Sequence, residues 1–171
     1  MRRERGASNR LARDVAKRVE VYRPASLLLI GVGGADLFSA YCKGHPECRV
    51  ETLAPERVLE GLNRLGRYDL AFVSETLEHL PSDAAGVLLG SVRDLHAKAL
   101  LVLVSLGHAG YGTRWRHADL LGYGLERIGE YLEQGQRLAL YRFDLYDYKT
   151  TPDWLNSQYW AHPELWGKHR W

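Results

Sequence analysis

The sequence predicts an α/β protein, a three-layer sandwich whose mostly parallel sheet of about six strands closes with an antiparallel hairpin. Three observations carry this reading. Short apolar runs at 26–30, 48–53, 68–74 and 99–104 alternate with stretches of helical pattern. The runs Leu27-Leu28-Leu29-Ile30 and Ala99-Leu100-Leu101-Val102-Leu103-Val104 are apolar at every position, as strands buried on both faces are. Late in the chain the pattern changes: 125–132 and 137–144 flank Gln134-Gly135-Gln136 and read as two antiparallel strands.

Each element has a local cause. Over residues 1–23 eight Arg or Lys stand against three acids, and Leu11, Val15, Val19 and Tyr22 recur at helical spacing. This is a basic N-terminal helix with one apolar stripe. Gly31-Val32-Gly33-Gly34 ends the first strand, and 35–41 follows as a helix. After the second strand, Pro55 suits the first turn of a helix reaching about Leu65, because its missing N–H costs nothing there; Gly66 suits the C-terminal cap. Ser82 is the expected N-cap of a helix ending near His96. Four of the five tryptophans, Trp154, Trp160, Trp166 and Trp171, lie in the last stretch, where Thr151-Pro152-Asp153 and His162-Pro163-Glu164 resemble helix starts.

The 171 residues fit a single domain, with a helix at 1–23, an α/β core at 24–144 and an aromatic-rich C-terminal segment at 145–171. A hydrophobic fraction of 46% and a charged fraction of 26% argue against general disorder. The net charge of +2 excludes nucleic-acid binding by bulk charge, so any such contact would need a local basic patch. Cys42 and Cys48 make neither a disulfide framework nor a zinc quartet, and no metal spacing is present. No apolar run reaches the roughly 20 residues of a membrane span, and no apolar leader core follows Met1. A reducing cytoplasm with free thiols is the expected setting.

Two segments carry candidate chemistry. A glycine turn between a buried strand and a helix lets a ligand approach the backbone and the helix N-terminus. The third strand opens into Ser74-Glu75-Thr76-Leu77-Glu78-His79-Leu80-Pro81. Ligands of open α/β sheets bind at the carboxyl ends of the strands, which brings these two segments together. Glu78 and His79 are the candidate acid/base pair, against the reading that both are scaffold. His108 and His117 accompany a glycine-rich stretch at 107–112, read as a loop beside the crevice.

These segments resemble the class I S-adenosylmethionine-dependent methyltransferases, over roughly residues 25–144. The resemblance implies a Rossmann-like fold with S-adenosylmethionine as cofactor. Gly31, Gly33 and Gly34 would hold its methionine end, Glu51 or Thr52 would lie near the ribose, and Ser74, Glu75 and the loop to His79 would face the sulfonium and the acceptor. Three positions depart from the family pattern. Leu29 stands where an acid usually precedes the glycine turn. Thr52 stands where a ribose-binding acid usually ends the second strand, and Glu51, one residue away, points to the opposite face. One helix alone separates the second strand from Tyr68, so the usual intervening strand is missing. The segments 141–149, 152–156 and 160–164 are similar to a bacterial family of unknown function. Two functions follow: methyl transfer to an unknown acceptor, or a non-catalytic descendant acting as an interaction module through its Trp-rich C-terminus, with RNA binding less favoured.

Overall fold

In a computed structural model, residues 2–106, 115–133 and 135–145 are described, with side chains from Arg10 onward. The 107–112 stretch with His108 and the Trp-rich segment from Tyr146 lie outside the described residues.

The chain runs α1 (Arg2–Tyr22), β1 (Ser26–Gly31), α2 (Gly34–Gly44), β2 (Arg49–Leu53), α3 (Val58–Leu62), β3 (Tyr68–Ser74), α4 (Ser82–Ser91), β4 (Ala97–Ser105), α5 (His117–Gly122), β5 (Glu126–Glu133) and β6 (Gln136–Asp144). The six strands form one sheet in the order β2-β1-β3-β4-β6-β5. β2, β1, β3 and β4 are mutually parallel; β6 runs antiparallel to β4, and β5 antiparallel to β6. The α/β sandwich with a terminal hairpin is the architecture read from the sequence. β2 is an edge strand, and no further strand pairs with its outer side among the described residues, in keeping with the short 54–67 connection.

Alternation along the buried strands splits the core into two layers. Leu28, Ile30, Ala71, Val73, Leu100 and Val102 pack beneath α3, α4 and α5. Leu27, Leu29, Leu70, Phe72, Leu101 and Leu103 pack beneath α1 and α2. Leu11, Val15 and Val19 of α1 are buried in the second layer as their spacing predicts, each contributing about 1.5–3 kcal/mol. The Tyr131 hydroxyl on β5 donates to Asp14 at 2.9 Å and fastens α1 across the hairpin.

At the amino end of the sheet, Asp69 binds Lys98 Nζ at 2.7 Å and accepts from Ala25 N and Ser26 Oγ. Burial opposes its charge, but the hydrogen bonds from Lys98 and Ser26 outweigh it and hold its carboxyl below the usual range. Asp69, part of the segment that suggested a site, thus ties β1, β3 and β4 together at the end opposite that site.

Several boundaries differ from the sequence reading. The helix expected over 55–65 is a 3-10 turn at Pro55–Arg57 followed by α3, which stops at Leu62. There i+3 bonds from Arg64 to Gly61 and from Leu65 to Leu62 tighten the chain out of the helix. Gly66 is not a cap; its carbonyl meets the ring of His96 at 3.1 Å. Pro81, in extended conformation, holds the N-cap position expected for Ser82. The helix expected to His96 gives way at Val92 to a π turn over Val92–His96. α5 carries no predicted counterpart. Among the described residues no helix is long and apolar enough to cross a membrane.

Candidate functional site

β1 and β3 end side by side, with Gly31 paired to Ser74. The glycine turn and the 74–79 loop therefore share the carboxyl edge of the sheet, as parallel pairing requires.

The glycines of the turn play different parts. Gly31 has φ +96°, and a Cβ there would stand 1.8 Å from Ser74 O and 2.4 Å from Thr76 Oγ1. It is a close-packing glycine, sealed against the end of β3. Gly33 has φ +78°, and among the described residues a Cβ there would meet nothing within 4 Å. It occupies the N-cap of α2 with no side chain to bond the first N–H groups. Its neighbour Val32 is 56% exposed. Gly34 is buried, its Cα facing Phe72 and Leu29. The open part of the turn is thus Val32-Gly33 and the N-terminus of α2.

The β3 end is held by its own hydroxyls. Ser74 is buried, and its Oγ donates to the Val32 carbonyl at 2.5 Å. Thr76 Oγ1 donates to the Ser74 carbonyl at 2.9 Å. Between them Glu75 is exposed with φ +46°, a conformation that costs a non-glycine residue about 1–3 kcal/mol and that clusters at functional sites.

Among the described residues Glu78 is bonded to Ser105, and the charge of His79 favours its ionised form. Glu78 Oε1 accepts the backbone N–H of Ser105, at the end of β4, at 2.6 Å, while His79 is exposed. The Trp115 indole donates to the Leu77 carbonyl at 3.1 Å. The 3-10 turn Leu77–His79 is thereby bolted to the chain on either side of the 107–114 stretch. Among the described residues, Glu78 Oε2 and Ser105 Oγ are buried and meet no hydrogen-bond partner. Burial pushes the Glu78 carboxyl up, against the bond from Ser105 N. Glu133, at the end of β5, has a buried Oε1 with no hydrogen-bond partner among the described residues and is pushed up by burial and by the charge of Glu75. Three carboxyls, Glu75, Glu78 and Glu133, thus stand along one rim. His117 meets the Tyr141 hydroxyl at 2.9 Å.

The raised Glu78 carboxyl has a stability consequence. The folded chain keeps this proton at pH values where the unfolded chain has lost it, so stability falls as pH rises through that interval. Glu78→Gln retains an acceptor for Ser105 and removes the charge. Its urea-unfolding free energy is expected to decline less than the parent's above about pH 4; parallel curves for the two proteins refute the assignment.

The ribose-side candidates lie on β2. Thr52 pairs with Leu29 and Glu51 with Leu28, so Thr52 shares the face on which α2 begins and Glu51 the face of α3 and α4. Both are exposed. Sequence reasoning missed Ser105, Trp115 and Glu133, which reach the rim from β4, the chain before α5, and the hairpin. Nothing near them in sequence marks them. Among the described residues no three His, Cys, Asp or Glu side chains are grouped to hold a metal.

The sheet order, the glycine turn and the hairpin define a protein with the fold of S-adenosylmethionine-dependent methyltransferases. Magnesium protoporphyrin IX methyltransferase from Synechocystis PCC 6803, solved with bound SAH, aligns at TM-score 0.55 and 10% identity, covering 82% of this chain and 84% of that one. The methyltransferase domain of bacterial CtHen1 aligns at TM-score 0.53 and 13% identity, covering 80% of this chain and 100% of that one. An O-methyltransferase family protein from Burkholderia thailandensis aligns at TM-score 0.50 and 14% identity, covering 78% of this chain and 57% of that one. The chain itself belongs to the DUF6231 family, a family of unknown function whose pattern matches residues 9–171. No curated protein matches it in sequence.

Proposed function

We infer that this protein binds S-adenosylmethionine at the Val32-Gly33 turn and transfers its methyl group to a small acceptor at the Glu75 rim. The observation that carries the reading is Gly33: a left-handed, uncapped helix start with open space where a side chain would stand. Such a turn presents backbone N–H groups and the positive end of the α2 dipole to a carboxylate. Thr52, on the same face, is the residue placed for a ribose hydroxyl.

The cofactor supplies an electrophilic methyl on a sulfonium. The protein's part is alignment. Val32-Gly33 and Thr52 would hold the cofactor, which would supply its methyl to the acceptor's lone pair and leave as the neutral thioether. The acceptor's proton leaves to water or to a rim carboxylate. Glu75 is the carboxylate exposed on that rim, and Glu78 is a positioning residue that holds the turn to β4.

Leu29 and Thr52 replace acids. Charge-assisted bonds to ribose hydroxyls are worth about 1.5–3 kcal/mol each, so affinity is expected to be about ten- to a hundredfold weaker than with a carboxylate. This favours a second reading, in which the fold persists as a non-catalytic interaction module. A thermal-shift titration separates the two. Cofactor at about 100 times its dissociation constant adds about 2.7 kcal/mol, a rise of roughly 5–10 °C for a chain of this size. No rise at millimolar S-adenosylmethionine or S-adenosylhomocysteine removes the methyl-transfer reading.

A further inference from the structure

The two edges of the sheet are not alike. β5 carries a bulge between Arg127 and Gly129, and α1 is fastened across it through Tyr131 and Asp14. Bulges and covering elements blunt an open edge against pairing with another chain. β2 is built differently. Its register on β1 runs unbroken from Arg49 to Leu53, and it contains neither lysine nor proline. Arg49, Val50, Glu51 and Thr52 are all exposed, although strands of a parallel sheet are ordinarily covered on both faces. Among the described residues no strand pairs with its outer side.

One hydrogen bond fixes which backbone groups of β2 face outward. The Arg49 N–H donates to the Ala25 carbonyl at 3.0 Å, so the polar groups of Arg49 point to β1. N–H and C=O groups alternate sides along a strand. Those of Glu51 therefore point to β1 as well, and those of Val50 and Thr52 point away from the sheet. An outward row of this kind is a template for a further strand.

We propose that β2 pairs antiparallel with β2 of a second copy of this chain, about a twofold axis at Val50. Charge selects both the partner and the register. With the axis at Val50, the two Val50 residues exchange their outward N–H···O=C bonds. Arg49 of each copy then stands opposite Glu51 of the other, all four on one face of the joined sheet. These flanking positions are the non-hydrogen-bonded ones, where Cα atoms lie about 4.5 Å apart and opposed side chains approach most closely. Opposite charges directly across a strand pair attract, and like charges repel. Other registers lack this match. An axis at Arg49 sets arginine against arginine, and an axis at Glu51 sets glutamate against glutamate. An axis at Thr52 sets Arg49 opposite Pro55, beyond the end of the strand. On the other face the Val50 side chain, 38% exposed, meets its own copy.

The test is sedimentation velocity of the full chain with no cofactor present, so its outcome is separate from the methyl-transfer reading. A contact of one short strand pair is small, and the parent is expected to pass from monomer to dimer over about 10–1,000 μM. Arg49→Glu sets acid against acid across the pair, and Glu51→Arg sets arginine against arginine. Each variant alone is expected to associate about tenfold or more weakly than the parent. An equimolar mixture of the two restores opposite charges at both positions and should dimerise as the parent does. Val50→Lys puts two ammonium groups at the axis and should remain monomeric. A parent that stays monomeric at about 1 mM overturns the proposal. Dimers that persist in the single variants overturn it too, as does a mixture that recovers nothing while both variants keep the parent's far-ultraviolet circular dichroism. Arg49 also lies over the Tyr68 ring at 4.8 Å. Should Arg49→Glu lose the fold, Glu51→Arg and Val50→Lys at exposed positions decide the matter, and parent-like association in either refutes the pairing.

Discussion

Gly31→Ala is expected to destabilise the protein by about 3–5 kcal/mol, combining left-handed backbone strain with overpacking. The cause is specific. The new methyl would stand 1.8 Å from the Ser74 carbonyl oxygen and 2.4 Å from Thr76 Oγ1. Neither can retreat cheaply. Ser74 O lies in the register where β3 pairs with β1 and also accepts the Thr76 hydroxyl, while the Ser74 side chain is bonded to Val32. Native domains hold only about 5–15 kcal/mol in total. The variant should therefore melt roughly 10 °C or more below the parent, or fail to accumulate folded. Urea denaturation of the two proteins measures it, and a loss under about 1 kcal/mol, the effect of an ordinary mutation, contradicts the packing role assigned to Gly31.

Gly33→Asp is expected to do the reverse, leaving the fold and removing cofactor binding. An added Cβ at Gly33 meets nothing within 4 Å among the described residues, and aspartate tolerates left-handed backbone better than most residues. The stability cost should be about 1–2 kcal/mol. The new carboxylate would stand at the N-terminus of α2, where the cofactor's own carboxylate is proposed to lie. The S-adenosylmethionine thermal shift of the parent should vanish. Gly33→Asn, of nearly the same size without the charge, separates repulsion from bulk by retaining part of the shift. A full shift in the Asp variant places the cofactor elsewhere. Paired with Gly31→Ala, this substitution distinguishes a glycine required by the chain from a glycine required by a ligand, two residues apart in one turn.

The sequence marked both glycines in the same terms, because a motif records residue type and spacing. It does not record what stands opposite. Gly31 faces the end of β3, 43 residues away, and Gly33 faces open space. The same holds for Glu78. Its place in a loop after a buried strand suggested an acid/base pair with His79, but its carboxylate is bonded to Ser105, 27 residues on. Glu51 and Thr52 show the opposite outcome. The two-residue period of a strand puts them on opposite faces whatever the fold, so their separation could be read in advance; the register then shows that Thr52 shares the face of α2.

Short-range regularities determined the rest. The buried runs at Leu27–Ile30 and in β3 and β4, the apolar stripe of α1 and the hairpin at Gly135 each follow from patterns a few residues long, since burial and backbone geometry impose periods of 2 and 3.6 on side chains. Strand count, parallel core, the absence of a strand between β2 and β3 and the terminal hairpin were therefore legible in the amino-acid order. Only the tertiary structure decided which polar group meets which. Ser105, Trp115 and Glu133 come to the rim from elements far apart in the chain, and Asp69 goes to the opposite end of the sheet. Pairings of that kind depend on strand order and register, which are set by the packing of the whole core and leave no trace among neighbouring residues.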